Sequence, residues 1–157
     1  MVEIERKFLV TSDVFKKEAF KIERIVQGFL NTDPERTVRV RLKDDTGFLT
    51  IKGITIEKGT SRFEWEQEIS GEDANQLLQL CEEGVVEKIR YSVRSGDHVV
   101  EVDEFLGENL GLVIAEIELK SVDEDYLKPT WLGTEVTGDS RYYNSQLSKH
   151  PFKLWPN

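Results

Sequence analysis

Hydrophobic and polar residues alternate in short runs along most of the chain. The first run is Val2–Val10, in which Val2 and Ile4 alternate with Glu3 and Glu5. A period of two places successive side chains on opposite faces of a β-strand, so this run predicts a strand with one charged face. Seven further runs predict strands by the same pattern. They are Lys21–Leu30, Thr37–Lys43, Phe48–Ile54, Arg62–Ile69, Val85–Arg94, His98–Phe105 and Leu112–Lys120.

Clusters of turn-forming residues separate these predicted strands. The predicted loops are Asn31–Glu35, Asp44–Gly47, Lys58–Thr60, Ser95–Asp97 and Asn109–Gly111. Loops this short favour strands that run antiparallel to their neighbours in sequence.

Helical patterns are few. Apolar residues at helical spacing predict one helix over Ser70–Glu83, with Ser70 as its cap and Gly84 as its end. Thr11–Phe20 is predicted to form a short helix or turn. The tail, Val122–Asn157, shows no clear strand and is expected to pack over one end of the fold.

These elements predict a mainly β (α+β) fold. About eight strands joined by short turns favour an eight-stranded antiparallel β-barrel, closed or nearly closed, with a few flanking helices. The chain has 157 residues and no linker-like or low-complexity segment, so we expect a single domain over residues 1–157.

Like charges are paired two residues apart, and their sign differs between strands. The acidic pairs are Glu3/Glu5, Glu64/Glu66 and Glu116/Glu118, and the basic pairs are Arg39/Arg41 and Lys88/Arg90. On a solvated strand face such neighbours repel each other, although a solvated face remains the alternative for any single strand. In a closed barrel the paired faces would point inward and form a polar lumen, and the apolar faces would pack against the helices and the tail.

A lumen of this composition suits a polyphosphate bridged by a divalent metal. Arginine and lysine side chains suit phosphate oxygens, and the candidates are Lys7, Arg39, Arg41, Lys52, Lys88 and Arg90. Carboxylates suit Mg²⁺ or Mn²⁺, and the candidates are Glu3, Glu5, Glu116 and Glu118. Such a metal would polarise the terminal phosphoryl group and activate a water as the nucleophile.

The composition of the chain indicates which binding partners and which cellular compartment to expect. The formal net charge of −9 weighs against nucleic acid as a partner, because binding to a phosphate backbone favours a positive surface. No apolar run is long enough to span a membrane, and no signal peptide is recognisable. Cys81 is the only cysteine, which excludes an internal disulfide and fits a reducing, cytoplasmic compartment.

The sequence resembles the CYTH domain family, also called the triphosphate tunnel metalloenzymes, and especially its bacterial single-domain branch. The family's Glu-x-Glu-x-Lys signature matches Glu3-Ile4-Glu5-Arg6-Lys7. Further segments match in order along nearly the whole chain, and the ordered set is far more specific than the first motif alone. They are Gln27–Leu30, Arg39–Arg41, Thr50–Lys52, Glu64–Glu66, Lys88–Tyr91, Glu101–Asp103, Ala115–Glu118, Glu135–Thr137 and Arg141–Asn144.

The resemblance implies a barrel-shaped tunnel that binds triphosphate compounds together with Mg²⁺ or Mn²⁺. It implies the metal-binding and phosphate-binding roles given above for the same carboxylates and the same basic residues. It also makes Glu5, Lys7 and Asp103 catalytic candidates. Glu64, Glu66 and Asp103 are candidates for a second metal or for orienting the water, although Glu64 and Glu66 could instead balance the arginines. Lys43, Glu68 and Lys120 lie at strand ends, and we expect them to be solvated. Arg62 is a further candidate for binding phosphate.

The family contains several activities. They include inorganic tripolyphosphatase, thiamine triphosphatase, RNA triphosphatase and class IV adenylate cyclase. Small, single-domain bacterial members, which this chain resembles, are most often inorganic tripolyphosphatases, so we expect a metal-dependent tripolyphosphatase with a small-molecule triphosphate substrate. The alternatives are a class IV-type adenylate cyclase, a thiamine or nucleoside triphosphatase, and a non-catalytic polyphosphate-binding module. A homodimer is consistent with the resemblance.

Overall fold

The computed structural model describes residues 2–56 and 61–156, and the predicted loop Lys58–Thr60 lies outside them. Nine strands lie in these ranges: β1 Val2–Val10, β2 Lys21–Asn31, β3 Arg36–Lys43, β4 Thr46–Ile56, β5 Ser61–Ile69, β6 Val86–Ser95, β7 His98–Phe105, β8 Val113–Leu119 and β9 Leu132–Glu135. The helices are α1 Phe15–Glu18, α2 Gly71–Leu78 and α3 Asn144–Leu147, with 3₁₀ turns at Gly107–Asn109, Ser140–Tyr142 and Phe152–Leu154. In the part of the chain described, no helix is long and apolar enough to cross a membrane.

Eight strands form a closed antiparallel barrel. Their order is β5-β4-β3-β2-β6-β7-β8-β1, and β1 also pairs with β5, which completes the ring. The predicted barrel is therefore confirmed. Because the strands alternate inward and outward residues, closure places every charged face on the inside.

The second edge of β1 is shared between two strands. Val2 pairs with Phe63 of β5, whereas Phe8 pairs with Glu135 of β9. Arg6 reinforces the second contact by donating from Nη2 to Glu135 Oε1 at 2.7 Å. Since β9 occupies the edge that β5 leaves free, the prediction that the tail contains no strand is wrong.

The α2 helix is shorter than predicted. Ser70 does cap it, because its Oγ accepts a hydrogen bond from the Asp73 backbone N–H at 3.0 Å. The helix ends at Leu78, however, and the N–H of Glu82 donates to the carbonyl of Phe29 in β2 at 2.8 Å. Gly84, which has a φ of 94°, comes after this contact and is not the helix end.

An apolar cluster covers the outer face of β1 and β6–β8. The α1 helix contributes Phe15 and the tail contributes Trp131, with their ring centroids 5.7 Å apart. The other buried members are Phe8, Val93, Val100, Val102, Ala115, Ile117 and Leu119. Removing this surface from water stabilises the fold and confirms that the apolar strand faces pack against a helix and the tail.

A second apolar cluster closes one end of the lumen. Val86 and Ile114 lie two residues from Lys88 and Glu116, so they share the inward face with these charged residues. The strands contribute Leu9, Val86, Phe105 and Ile114, and the tail adds Val136, Tyr142 and Leu147. We call this cluster the apolar floor. The apolar floor closes the lumen at the end next to the inward-facing charged residues.

Candidate active site

The inner face of the barrel surrounds a cavity of about 230 Å³. All the predicted metal-binding and phosphate-binding residues line it, as do Glu64 and Glu66. The lining residues predicted from the sequence are Glu3, Glu5, Lys7, Arg39, Arg41, Lys52, Glu64, Glu66, Lys88, Arg90, Glu116 and Glu118. The structure therefore gathers onto one surface side chains that are more than 100 positions apart in the sequence.

The arginines of β3 form one wall of the cavity. Arg39 Nη2 donates to Thr50 Oγ1 at 3.1 Å, and Glu66 Oε2 lies 3.5 Å from Arg39 Nη2 and 3.7 Å from Arg41 Nη2. The Nε atoms of Arg39 and Arg41 are buried and find no hydrogen-bond partner among the described residues. Burial lowers the pKa of Arg41 to about 9, with a further contribution from the positive charges of Arg39 and Arg90. This wall therefore has donors and positive charge in excess, which an anion would balance.

Asp103 lies behind the cavity lining and is 2% exposed. Its carboxylate accepts hydrogen bonds from Arg90 Nε at 2.8 Å and Arg90 Nη2 at 2.9 Å, and lies 2.7 Å from Lys88 Nζ. Burial alone would raise the pKa of Asp103, but Arg90 and Lys88 hold it well below its usual range. Asp103 thus holds Lys88 and Arg90 in place, and both of these side chains also line the cavity.

Lys88 is the most deeply buried of the cationic side chains. Burial lowers its pKa to about 8, against the opposing effect of Asp103. Its Nζ also donates to Oδ1 of Asn144, in the tail, at 3.2 Å. Lys88 is therefore fixed between Asp103 and the tail at the cavity lining.

The opposite wall is acidic around a single lysine. Lys7 Nζ lies 3.8 Å from Glu5 Oε1 and 3.7 Å from Glu116 Oε1. Burial raises the pKa of Glu5 to about 8, and the negative charges of Glu116 and Glu3 add to the effect. Lys7 therefore balances the negative charge around Glu5 only in part.

Glu3 of β1 and Glu64 of β5 both form ion pairs with Lys52 of β4. Lys52 Nζ is 2.9 Å from Glu3 Oε1 and 3.4 Å from Glu64 Oε2. Burial opposes ionisation of Glu3, but Lys52 outweighs it and the pKa of Glu3 falls to about 2. Burial raises the pKa of Glu64 to about 7, helped by its hydrogen bond with Glu3. Burial and Glu3 also raise the pKa of Glu118.

The carboxylates of the cavity fit a hard divalent cation. Within residues 2–56 and 61–156, no three Asp, Glu, His or Cys side chains converge as a preformed metal cage. Mg²⁺ does not need one, because it keeps several waters and is commonly held by one or two carboxylates plus substrate phosphates. Burial, with the negative charges of Glu116 and Glu3, raises the pKa of Glu5, and a cation beside this carboxyl would favour its ionised form.

Several lining residues were missed by sequence reasoning. Lys43 was predicted to be solvated, but it lines the cavity with Nζ 3.9 Å from Glu23 Oε1. Glu101 lies two residues before Asp103, so strand alternation could have identified it. Tyr143 lies 5.0 Å from Lys7 Nζ, measured to the ring centroid, and comes from the tail, where no periodic pattern marks it. Arg62, which the sequence offers as a further phosphate-binding candidate, also lines the cavity. The remaining missed residues are Phe29, Thr37, Thr55, Thr137, Gly138, Asn144 and Ser145.

Comparisons with known proteins agree with this geometry. The CYTH domain profile matches residues 1–151. The inorganic triphosphatase of Acetivibrio thermocellus is 50% identical over 152 residues, which is 96% of each chain. The inorganic triphosphatase of Nitrosomonas europaea is 37% identical over 153 residues, covering 94% of this chain and 97% of that protein.

A solved structure shares the fold over the same extent. The crystal structure of the inorganic triphosphatase NE1496 superposes with a TM-score of 0.63 at 32% sequence identity. The match covers 93% of this chain and 97% of that one. This solved structure therefore shares its fold with this chain over nearly the whole length of both.

Proposed function

Because the chain belongs to the CYTH domain family, we propose that it is a divalent-metal-dependent inorganic triphosphatase. The reaction is hydrolysis of a terminal phosphoanhydride bond: a water oxygen bonds to the terminal phosphorus and the bridging P–O bond breaks. The products are orthophosphate and pyrophosphate, and the proton lost by the water passes to solvent or to a side chain.

The observation that carries this proposal is the division of one cavity into a basic and an acidic wall. The basic wall has Nε donors at Arg39 and Arg41 that lack a partner among the described residues, and the acidic wall sets the Glu5 carboxyl beside those of Glu116 and Glu3. A polyphosphate alone would match only the first wall, and a metal alone only the second. A triphosphate bound together with a divalent metal matches both.

The basic residues bind and orient the triphosphate. The guanidinium forks of Arg39 and Arg41 suit pairs of phosphate oxygens, and Lys52, Lys88 and Arg90 surround the same cavity. Asp103 acts as a positioning residue in this proposal, because it holds Lys88 and Arg90 but does not line the cavity. Holding these cations in place before substrate arrives reduces the reorganisation needed in the transition state.

The carboxylates hold the metal. Glu3, Glu5, Glu116 and Glu118 offer oxygen ligands suited to Mg²⁺ or Mn²⁺. When bound, such an ion supplies Lewis-acid polarisation of the phosphoryl oxygens and makes water a stronger nucleophile at neutral pH. Lys7, between Glu5 and Glu116, links the two walls and contacts the triphosphate from the acidic side.

Phosphorus NMR of the products tests the proposal directly. Tripolyphosphate incubated with protein and Mg²⁺ should give equal amounts of orthophosphate and pyrophosphate. ATP serves as the comparison, because a cyclase would convert it to cyclic AMP and pyrophosphate. Cyclic AMP would support the cyclase alternative, and binding without any product would support the non-catalytic module.

Several finer statements remain predictions of the sequence. They are that residues 1–157 form one domain, that the protein is cytoplasmic, and that it acts without nucleic-acid or membrane partners. Two more sequence predictions are that the metal is Mg²⁺ or Mn²⁺ and that the protein can form a homodimer.

A further inference from the structure

Gln27 lies in the middle of β2 with its side chain on the inner face of the barrel. It pairs with Arg41 of β3 on one side and with Val86 of β6 on the other. The next residue, Gly28, faces outward, since a Cβ atom there would lie 2.9 Å from the Cβ of Cys81. Gln27 therefore stands where the charged cavity meets the apolar floor, and it is 0% exposed.

The carboxamide of Gln27 has no hydrogen-bond partner among the described residues. Both Oε1 and Nε2 are buried, and neither has a hydrogen-bond partner in the described parts of the chain. Exchanging the two atoms by rotating the amide changes nothing, because both positions lack a partner. Leaving such a group without hydrogen bonds costs free energy that an apolar side chain of similar size would not cost.

Arg41 carries the complementary unsatisfied group. Its Nε is buried and unpaired among residues 2–56 and 61–156, and Gln27 is its direct neighbour across the β2–β3 pair. Side chains opposite each other on one face of an antiparallel pair have Cβ atoms about 4.5–5.5 Å apart. An N–H donor and an amide oxygen, both lacking partners, thus occur side by side at the edge of the cavity.

We propose that Gln27 is a positioning residue for Arg41, accepting a hydrogen bond from Arg41 Nε, directly or through one buried water, when a phosphate occupies the cavity. The terminal nitrogens of the guanidinium are then left for phosphate oxygens. This arrangement holds the fork in the plane that a bidentate contact needs. Among the described residues, the carboxylate nearest to the terminal nitrogen of Arg41 is Glu66, at 3.7 Å, which is longer than a hydrogen bond. The inference rests on the proposed function, because the ligand is its triphosphate.

This role predicts that removing the amide of Gln27 has opposite effects on folding stability and on ligand binding. The variant Gln27→Met replaces the amide with an apolar chain of similar volume, so the melting temperature should hold or rise. The same change removes the partner of Arg41, so the Kd for tripolyphosphate and the KM should rise about tenfold, with a smaller change in kcat. A residue that merely fills space would affect melting and leave KM alone.

The matched control is Ile25→Met. Ile25 lies two residues from Gln27 on the same face of β2 and is equally buried, but it has no polar atom to lose. Calorimetric titration with tripolyphosphate, once in EDTA and once in Ca²⁺, measures Kd without relying on turnover. We expect the control to bind as the wild type does.

A double-mutant cycle identifies Arg41 as the residue through which Gln27 acts. In an Arg41→Ala background, Gln27→Met should cause no further rise in Kd. In an Arg39→Ala background the full rise of about tenfold should persist, because Arg39 does not pair with Gln27 in the sheet register. If Gln27→Met does not fold, Gln27→Asn, whose amide is too short to reach Arg41, takes its place in the cycle.

The outcomes separate this inference from the proposed function. The role of Gln27 would be overturned if Gln27→Met raised the Kd equally in the Arg41→Ala and Arg39→Ala backgrounds. It would also be overturned if Gln27→Met alone left the Kd at the wild-type value. A wild-type protein that binds tripolyphosphate but does not hydrolyse it would overturn the proposed activity. The double-mutant cycle could still be measured in that case, because it compares Kd values. A wild type that does not bind tripolyphosphate in either condition would overturn both.

Discussion

Asp103 and Lys88 form an ion pair of 2.7 Å in which the two side chains are only 3% and 1% exposed. Arg90 donates to the same carboxylate from two nitrogens. One buried carboxylate thus holds two cations at the base of the cavity. Such an arrangement makes each member depend on the others, because a buried charge without a partner is strongly unfavourable.

Removing the carboxylate should destabilise the fold severely. In Asp103→Ala the buried charges of Lys88 and Arg90 lose their partner, and we expect the free energy of unfolding to fall by about 3–5 kcal/mol. Urea denaturation measures the change. Glu87→Ala is the control, because its ion pair with Arg24 is exposed and should contribute about 0–1 kcal/mol. Similar losses in the two variants would contradict the role assigned to Asp103.

The contribution of Asp103 to stability should disappear in acid. Its pKa is lower in the folded protein than in the unfolded chain, so the stabilisation is present above the unfolded value of about 4 and is lost as pH falls toward the folded value. The difference in unfolding free energy between wild type and Asp103→Asn should therefore narrow steadily below about pH 4. Urea denaturation at pH 7, 4 and 3 measures it. A constant difference over this range would argue against the ion pair.

Glu5→Gln should separate folding from activity. The carboxylate of Glu5 is half-buried beside Glu116 and Glu3, and a neutral side chain of the same shape removes that repulsion. We expect a melting temperature in EDTA equal to or above that of the wild type, a smaller rise in melting temperature on adding Mg²⁺, and at least about a hundredfold loss of turnover. Full activity in this variant would exclude Glu5 as a metal ligand.

Arg39→Lys tests whether the fork geometry matters beyond charge. A lysine keeps the positive charge but cannot contact two phosphate oxygens in parallel, so kcat/KM for tripolyphosphate should fall at least about tenfold. Arg24→Lys provides the control, since Arg24 is exposed and pairs with Glu87 outside the cavity. An unchanged kcat/KM in Arg39→Lys would mean that positive charge alone is required at this position.

Alternation in the sequence was enough to predict the barrel but not its last strand. In β9, Leu132-Gly133-Thr134-Glu135 is too short and too mixed to show a period of two. It becomes a strand because Phe8 and Val10 of β1 need backbone partners beyond the point where β5 ends. The early end of α2 has a similar cause, because the carbonyl of Phe29 accepts a hydrogen bond from the N–H of Glu82. Both features depend on contacts between distant parts of the chain.

The face of a strand residue was predictable, but its depth in the lumen was not. Alternation placed Asp103 correctly on the inner face of β7, yet the structure sets it behind Lys88 and Arg90. Lys43 shows the reverse, because a strand-end residue that looked solvated lines the cavity. Tyr143 reaches the cavity only because the tail folds back to form the apolar floor.

The most direct test of the central claim is the initial rate of phosphate release from tripolyphosphate, ATP and thiamine triphosphate, each with Mg²⁺, Mn²⁺ or EDTA. The two-walled cavity predicts release that requires a divalent metal and is fastest from tripolyphosphate. Phosphate release that is equally fast in EDTA, or no release from any of the three compounds with either metal, would contradict it.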